Sequence, residues 1–339
     1  MYRWIFNKSL RYSLTICPRC VSQEASIKLK PKKMYDNVLY GKPVANRILE
    51  KCKQDCDEYI LKYDRQPRLT ALLVGGHPSS KLYIKNKQKA AKRVGIEFNV
   101  VNPVMHSTHE AIVDLIQTLN NDDSVDGILL QLPLPLHLID QTENLIQMIH
   151  ADKDVDGFTT ENYCQSTTMI PVVDAVHELL KEIGEPTKGK NVVVIGRSKY
   201  VGAPIALLLS RSTVLSNELV GDAHVTICHR ETPLDNFKMH CKNADIIISA
   251  AGRPRLVTHD MVKKDVIVID VGITKSSGSN TVFVGDVCFD EVRKSAKFIT
   301  PVPGGVGQVT VACLLKNLLT LANRRVTKAF MNEQTNNHT

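Results

Sequence analysis

The sequence predicts a two-domain α/β protein: an N-terminal α/β domain and a Rossmann-like dinucleotide-binding domain, with a cleft between them. Three observations predict it. From Pro67 onward, short apolar runs alternate with helix-spaced segments, the pattern of a parallel sheet covered by helices. A polar stretch at Asp152–Ser166 interrupts the alternation once. After it, the apolar run Asn191–Ile195 leads into a glycine turn and a helix, the start of a mononucleotide-binding unit.

Arg68–Val74 is a leucine and β-branched strand ending in Gly75-Gly76, and Lys81–Val94 carries long charged side chains at helical spacing until Gly95. Ile96–Val101 is strand-like. His109–Asn120 is helical, with Ile112, Leu115, Ile116 and Leu119 on one face. Gly127–Leu132 is a buried strand stopped by Pro133 and Pro135. In the second set Val201–Leu209 is a helix, while Val225–Cys228, Ile246–Ala250 and Val266–Val271 are strands. Thr310–Ala322 is a final amphipathic helix before a polar tail.

The chain has 339 residues, 43% hydrophobic and 23% charged, ordinary values for a globular enzyme of about two domains. The net charge of +8 is concentrated in the first 33 residues, where Arg3, Lys8, Arg11, Arg19, Lys28, Lys30, Lys32 and Lys33 face only Glu24. The rest is nearly balanced, so neither a nucleic-acid groove nor a membrane partner is expected, and no apolar run approaches the ~18 residues of a membrane span. Basic, Ser/Thr-containing and poor in acids, residues 1–33 read as a mitochondrial transit peptide leading to the matrix. Nine scattered cysteines argue against a disulfide framework, and Cys17/Cys20 lacks the second pair that a zinc site needs.

Gly196-Arg197-Ser198 follows the Asn191–Ile195 strand and opens a helix, where backbone N–H groups and the helix dipole attract a pyrophosphate; the glycines do not spell GxGxxG, so position carries the reading. Gly184–Asn191 imitates a P-loop but precedes a strand and has Asn191 in place of Ser or Thr. Asp152, Asp154, Asp156 and Gly157 imitate a calcium loop without its closing Glu. Tyr83 and Lys87, four apart, share a helix face amid Lys81, Lys85, Lys89 and Lys92, which are expected to be solvated. Gln131, a polar residue in an apolar strand, needs a partner: either a ligand or catalytic group, or a neighbouring loop backbone. The prolines and glycines of Pro301–Gly307 read as a loop whose backbone meets a planar ligand.

Together these segments resemble the methylenetetrahydrofolate dehydrogenase/cyclohydrolase family from about Tyr35 to Leu321. The motifs are VGGHPSSKLYIKNKQKAAKRVGI from Val74, ILLQLPLP from Ile128, DKDVDGF from Asp152, VVVIGRSKYVGAP from Val192, SAAGRP from Ser249, VIDVGI from Val268 and TPVPGGVG from Thr300. The chain departs from the family at Val172-Val173-Asp174 and at Gln308-Val309. A long Leu207–Gly221 segment resembles the mitochondrial, NAD-dependent, bifunctional branch.

The resemblance implies 34–170 as the N-terminal catalytic and folate domain, completed by a helix at 308–325, then 171–307 as the Rossmann-like domain and 326–339 as a polar tail. It implies Lys87 as the cyclohydrolase acid/base positioned by Gln131, and Tyr83 stacked on the folate. Asp156 would hold the pterin, with Leu130, Leu132 and the loop Pro303, Gly304, Gly305, Val306 and Gly307 beside the substrate. Gly196, Arg197, Ser198, Arg230 and Ile273 would contact the dinucleotide. Oxidation of the methylene carbon is assisted by the adjacent nitrogen, which stabilises the developing cation, so that step needs alignment; hydrolysis needs proton transfer. His229-Arg230-Glu231 after the second Rossmann strand leans toward NADP. The resemblance to the mitochondrial branch instead implies NAD, with inorganic phosphate held by Arg197 and Arg230 and Mg²⁺ by Asp222. A homodimer is expected. The competing readings are an NADP-preferring bifunctional enzyme, a dehydrogenase without cyclohydrolase, which Lys87 argues against, and a non-catalytic folate or nucleotide-binding module.

Overall fold

The computed structural model describes residues 36–75, 78–104, 106–165, 168–213, 218–275 and 283–336. The transit-peptide expectation and the Cys17/Cys20 pair lie outside these residues, as do Gly76 and His77 of the first motif. In chain order the first elements are α1 (Gly41–Tyr63), β1 (Arg68–Leu72), α2 (Pro78–Val94), β2 (Glu97–Val101), α3 (His109–Asn121), β3 (Gly127–Leu130), α4 (Thr142–Gln147), α5 (Thr160–Gln165) and α6 (Pro171–Ile183). There follow β4 (Asn191–Ile195), α7 (Gly202–Ser210), β5 (His224–Cys228), α8 (Leu234–Asn243), β6 (Ile246–Ser249) and β7 (Val266–Asp270). The short pair β8 (Thr274–Lys275) and β9 (Phe283–Val284), then α9 (Phe289–Val292), β10 (Ala296–Ile299) and the long α10 (Val306–Asn336) complete the chain.

The described residues divide into two compact units, one within 45–174 with 310–336 and the other within 36–44 with 175–309. In the first, three parallel strands are ordered β2-β1-β3, with Thr70 opposite Asn99 and Ile128. All of β3 is buried, as an unbroken apolar strand requires. A Cβ on Gly127 would fall 2.5 Å from the side chains of Leu318 and Val155, so α10 packs directly on β3 at that point. Thr108 caps α3 through Ala111 N–H at 3.3 Å. At the other end of α3 the buried Lys153 ammonium donates to the carbonyls of Leu119, Asn120 and Asp122 at 2.7–2.8 Å. Arg65 grips the fully buried Asp126 with two 2.7 Å bonds, which tie the end of α1 to the start of β3.

The second unit is a five-stranded parallel sheet ordered β10-β7-β6-β4-β5. Val192–Ile195 and Ile246–Ile248 are each no more than 3% exposed. Each fully buried Val or Ile here contributes about 1.5–3 kcal/mol. Residues 36–44 cluster here and not with the N-terminal domain that the sequence assigned them to. Val38 bridges Ile299, and Asn37 Nδ2 donates to the carbonyls of Arg293 and Ala296 at 2.9 Å.

One further expectation is corrected. The tail expected at 326–339 is helical to Asn336 as the continuation of α10. The 23-residue α1 carries a buried stripe of Val44, Ala45, Leu49, Cys52, Cys56 and Tyr59, which dense Lys and Asp substitution dilutes in the sequence. Among the described residues no helix is long and apolar enough to cross a membrane.

Candidate active site

The first unit brings four of the expected site residues onto adjoining elements. Helix α2 anchors itself through Ile84, Ala91 and Val94, which are at most 4% exposed, while Lys81, Lys85, Lys89 and Lys92 face solvent. Tyr83 and Lys87 lie between these faces and are half-buried. Gln131 sits one residue beyond β3, where its N–H still pairs with Leu72 O at 2.9 Å. Its side chain is 8% exposed and fully engaged: Lys87 Nζ donates to Oε1 at 3.1 Å, and Nε2 donates to Leu132 O at 2.7 Å. Gln131 thus meets both the lysine side chain of α2 and a loop carbonyl.

Electrostatics suit proton transfer. Burial pushes the Lys87 ammonium below its ordinary value, while the Asp156 carboxylate opposes this. Burial pushes Asp156 up to about 7, against the pull of Lys87 and with the help of Asp154. Burial also raises the Tyr83 phenol. The Asp156 loop is tightly specified. Asp154, 2% exposed, accepts from Thr159 N–H at 2.8 Å and Asn162 Nδ2 at 3.2 Å, so it closes a turn where a calcium loop would place a ligand. Gly157 has φ +64°, and a Cβ there would meet Thr168 O at 2.8 Å. Asn317, 4% exposed on α10, donates to the carbonyls of Val155 at 3.0 Å and Met169 at 2.8 Å. Leu130 is 3% exposed within the sheet, so it offers a ligand its backbone only; Leu132 is half-buried.

In the second unit, Gly196 ends β4 with φ +120°, and a Cβ on it would lie 2.4 Å from Ala250 O. Gly202, the first residue of α7, packs so closely that its Cβ would sit 2.1 Å from Gly196 O. Ser198 O accepts from Ala203 N–H at 3.1 Å and Ser198 Oγ from Gly202 N–H at 3.4 Å, which fixes the helix start. This glycine cradle at a helix N-terminus, on the carboxyl side of a parallel sheet, fits a dinucleotide pyrophosphate. Arg197 is exposed, and Ile273 is an apolar side chain left 44% exposed just past β7. Arg230, just past β5, pairs through Nε with Glu231 Oε1 at 2.9 Å.

Two groups of residues fall differently from expectation. Asp222 precedes β5 whereas Arg230 follows it, and the five residues of β5 span about 16 Å. Within one chain, therefore, Asp222 is not brought together with Arg197 and Arg230. Its carboxylate instead accepts from Thr213 Oγ1 at 2.6 Å and N–H at 3.2 Å, which holds it below the usual carboxylate range. In the loop Pro303–Gly307, Gly305 and Val306 are buried. Gly41 N–H donates to Gly304 O at 2.9 Å, and a Cβ on Gly41 would strike Gly305 O at 2.0 Å. The close backbone contact there is with α1, leaving the exposed Pro303 and Gly307 for a ligand. Sequence reasoning missed Asn317, whose one signal is an amide inside an apolar helix face.

Fold and site define a two-domain, dinucleotide-dependent α/β enzyme with a lysine–glutamine centre. Residues 39–156 match the tetrahydrofolate dehydrogenase/cyclohydrolase catalytic domain, and residues 171–326 match the NAD(P)-binding domain of the same name. The chain belongs to the tetrahydrofolate dehydrogenase/cyclohydrolase family. It is 43% identical over 295 residues to a mitochondrial bifunctional methylenetetrahydrofolate dehydrogenase/cyclohydrolase of Gallus gallus, covering 85% of this chain and 87% of that protein. A Homo sapiens mitochondrial relative is 44% identical, with 85% and 84% covered. Among solved structures, a Bombyx mori methylenetetrahydrofolate dehydrogenase superposes with TM-score 0.79 at 41% identity, covering 86% of this chain and 99% of that one. A Trypanosoma brucei dehydrogenase-cyclohydrolase complexed with NADP cofactor and inhibitor gives 0.78 at 38%, covering 85% and 98%.

Proposed function

We propose that this chain oxidises 5,10-methylenetetrahydrofolate to 5,10-methenyltetrahydrofolate with NAD⁺ and hydrolyses the product to 10-formyltetrahydrofolate, as a homodimer in the mitochondrial matrix. The observation that carries the reading is the Lys87–Gln131 bond beside Asp156 in the unit matching the family's catalytic domain.

Lys87, with its pKa lowered, takes up and returns a proton as water adds to the methenyl carbon. Gln131 holds Nζ in place through Oε1. Tyr83 offers a half-buried ring beside it, and Asp156, half-buried, presents an acid to the pterin nitrogens. Bound at the Gly196–Ser198 cradle, the nicotinamide dinucleotide supplies the hydride acceptor; Gly196 and Gly202 admit its phosphates, and Ile273 gives it an apolar face.

Arg230 at the end of β5 favours a second reading, NADP⁺ preference, because a 2′-phosphate suits an arginine. Glu231 argues for NAD⁺: its carboxylate neutralises Arg230 and would repel a 2′-phosphate. Inorganic phosphate fits the exposed Arg197 beside Arg230 only as a separate ion. A metal at Asp222 does not fit within one chain. However, β5 is a sheet edge, with His224 and Ile227 exposed. Antiparallel pairing of two such edges in a homodimer would set Asp222 of one copy beside Arg230 of the other.

The deciding assay follows NADH or NADPH formation with methylenetetrahydrofolate and, separately, loss of methenyl absorbance. Both reactions are expected; absence of either removes that half of the proposal. For location, an intact Met1 on protein purified from mitochondria would exclude cleavage near Lys33.

A further inference from the structure

The turns around Gly196 rest on two buried carboxylates that the chemistry above does not use. Asp270 closes β7 and is 3% exposed; Asp286 follows β9 and is 0% exposed. One oxygen of Asp286, Oδ2, accepts from Ala251 N–H at 2.7 Å, Gly252 N–H at 3.1 Å and Ser249 Oγ at 3.1 Å. The other, Oδ1, has no hydrogen-bond partner. Asp270 accepts from Val287 N–H at 2.9 Å, Gly272 N–H at 3.0 Å and Asp286 N–H at 3.1 Å. The acids interlock through glycines. A Cβ on Gly272 would fall 2.1 Å from Asp286 Oδ1, and one on Gly285 would fall 2.0 Å from Asp270 Oδ2.

Two carboxylates so placed are expensive to bury, and apolar side chains of similar volume would often be as stable. What distinguishes them is where their donors lie. Ala251 and Gly252 follow Ala250, whose carbonyl limits the space at Gly196, and Gly272 precedes the exposed Ile273. Both carboxylates therefore hold turns at the carboxyl ends of β6 and β7, the edge where open parallel sheets bind ligands.

We propose that Asp286 is a positioning residue for the dinucleotide, fixing the Ser249–Gly252 turn and, together with Asp270, the Gly272–Ile273 turn against the Gly196 cradle. The proposal rests on reading that cradle as the dinucleotide site. A site held this way loses affinity when its supporting bonds go, even if the fold persists.

The test uses full-length Asp286→Ala, Asp286→Asn and Ser249→Ala proteins, with dehydrogenase KM and kcat for the dinucleotide and cyclohydrolase kcat/KM on methenyltetrahydrofolate. Asp286→Ala is expected to raise the dinucleotide KM by about tenfold or more, with cyclohydrolase within about twofold of wild type. Asp286→Asn keeps an acceptor oxygen and recovers most of the loss. Ser249→Ala removes one of the donors to Asp286 and raises KM by about two- to fivefold. An unchanged dinucleotide KM in the folded variants overturns the proposal, as does a parallel fall of both activities that tracks Tm. If Asp286→Ala does not fold, the other two variants decide. Wild-type protein that reduces neither NAD⁺ nor NADP⁺ would instead overturn the function proposed above.

Discussion

Lys87 on α2 and Gln131 beyond β3 share a 3.1 Å hydrogen bond, with the amide in turn tied to Leu132 O at 2.7 Å. The ammonium is thus aimed by a strand end, where backbone pairing to Leu72 leaves little freedom. Lys87→Ala is expected to lower methenyltetrahydrofolate hydrolysis by about 10²–10⁴-fold, the usual span for a general acid or base. Dinucleotide binding should be unaffected, because the cradle lies in the other unit. Hydrolysis at the wild-type rate would remove Lys87 from the mechanism.

Asp156 and Lys87 titrate against each other. The Asp156 carboxylate raises the Lys87 pKa against the lowering effect of burial. Asp156→Asn removes that anion, so the Lys87 midpoint should move to lower pH. Nitrogen NMR of labelled lysine in the ligand-free protein would follow it directly. A midpoint that stays put, or rises, contradicts the coupling.

Asn317 controls the shape of the Asp156 loop from α10. Its replacement by Ala leaves the carbonyls of Val155 and Met169 without their amide partner, at about 1–3 kcal/mol for each buried group left unsatisfied. Urea unfolding should show that loss, and the folate KM should rise because Asp156 follows Val155 directly. Full stability with an unchanged KM would mean that the loop holds itself.

The strands were legible because their signal is composition. Asn191–Ile195 is an unbroken apolar run in the sequence and β4 in the fold. Lys87 and Gln131 were legible as a helix-face residue and a polar intruder, although their mutual bond depends on a tertiary approach between residues 44 positions apart. Helix α1 was not legible, since Cys52, Cys56 and Tyr59 make a stripe that charged neighbours obscure. Asp270 and Asp286 were equally hidden: an acid at the end of VIVID reads as a solvated strand end until Gly272 and Gly285 are seen packed on the two carboxylates.

That pair makes stability depend on pH. Burial, reinforced by Asp286, pushes Asp270 up to about 8. A carboxyl raised in the folded state contributes stability that is complete below its unfolded value near 4 and is lost as pH rises through about 8. Asp270→Asn does not titrate, so its Tm relative to wild type should climb between pH 5 and pH 8.5. A difference that is flat across that range would show Asp270 to be ionised throughout.

The cofactor preference and the ion effect test the dimer at the same time. NAD⁺ is expected to be preferred, with turnover raised by phosphate and Mg²⁺ together, because Arg197 and Arg230 can hold a free phosphate where NADP⁺ would place its own. Glu231→Gln releases Arg230 from its 2.9 Å ion pair and should raise NADP⁺ kcat/KM by about tenfold. Asp222 is the discriminating residue. Asp222 lies before β5 and Arg230 after it, so in the proposed homodimer Asp222 would meet the arginine across two antiparallel β5 edges. Asp222→Ala and Arg230→Ala should each abolish the ion response. Dimers mixed from the two variants should regain it at one of their two sites, since one subunit still supplies Asp222 and the other Arg230. Purified mixed dimers, assayed with NAD⁺ with and without both ions, decide the matter. Recovery places the ion site across the subunits, whereas mixed dimers as unresponsive as their parents would rule out any such shared site.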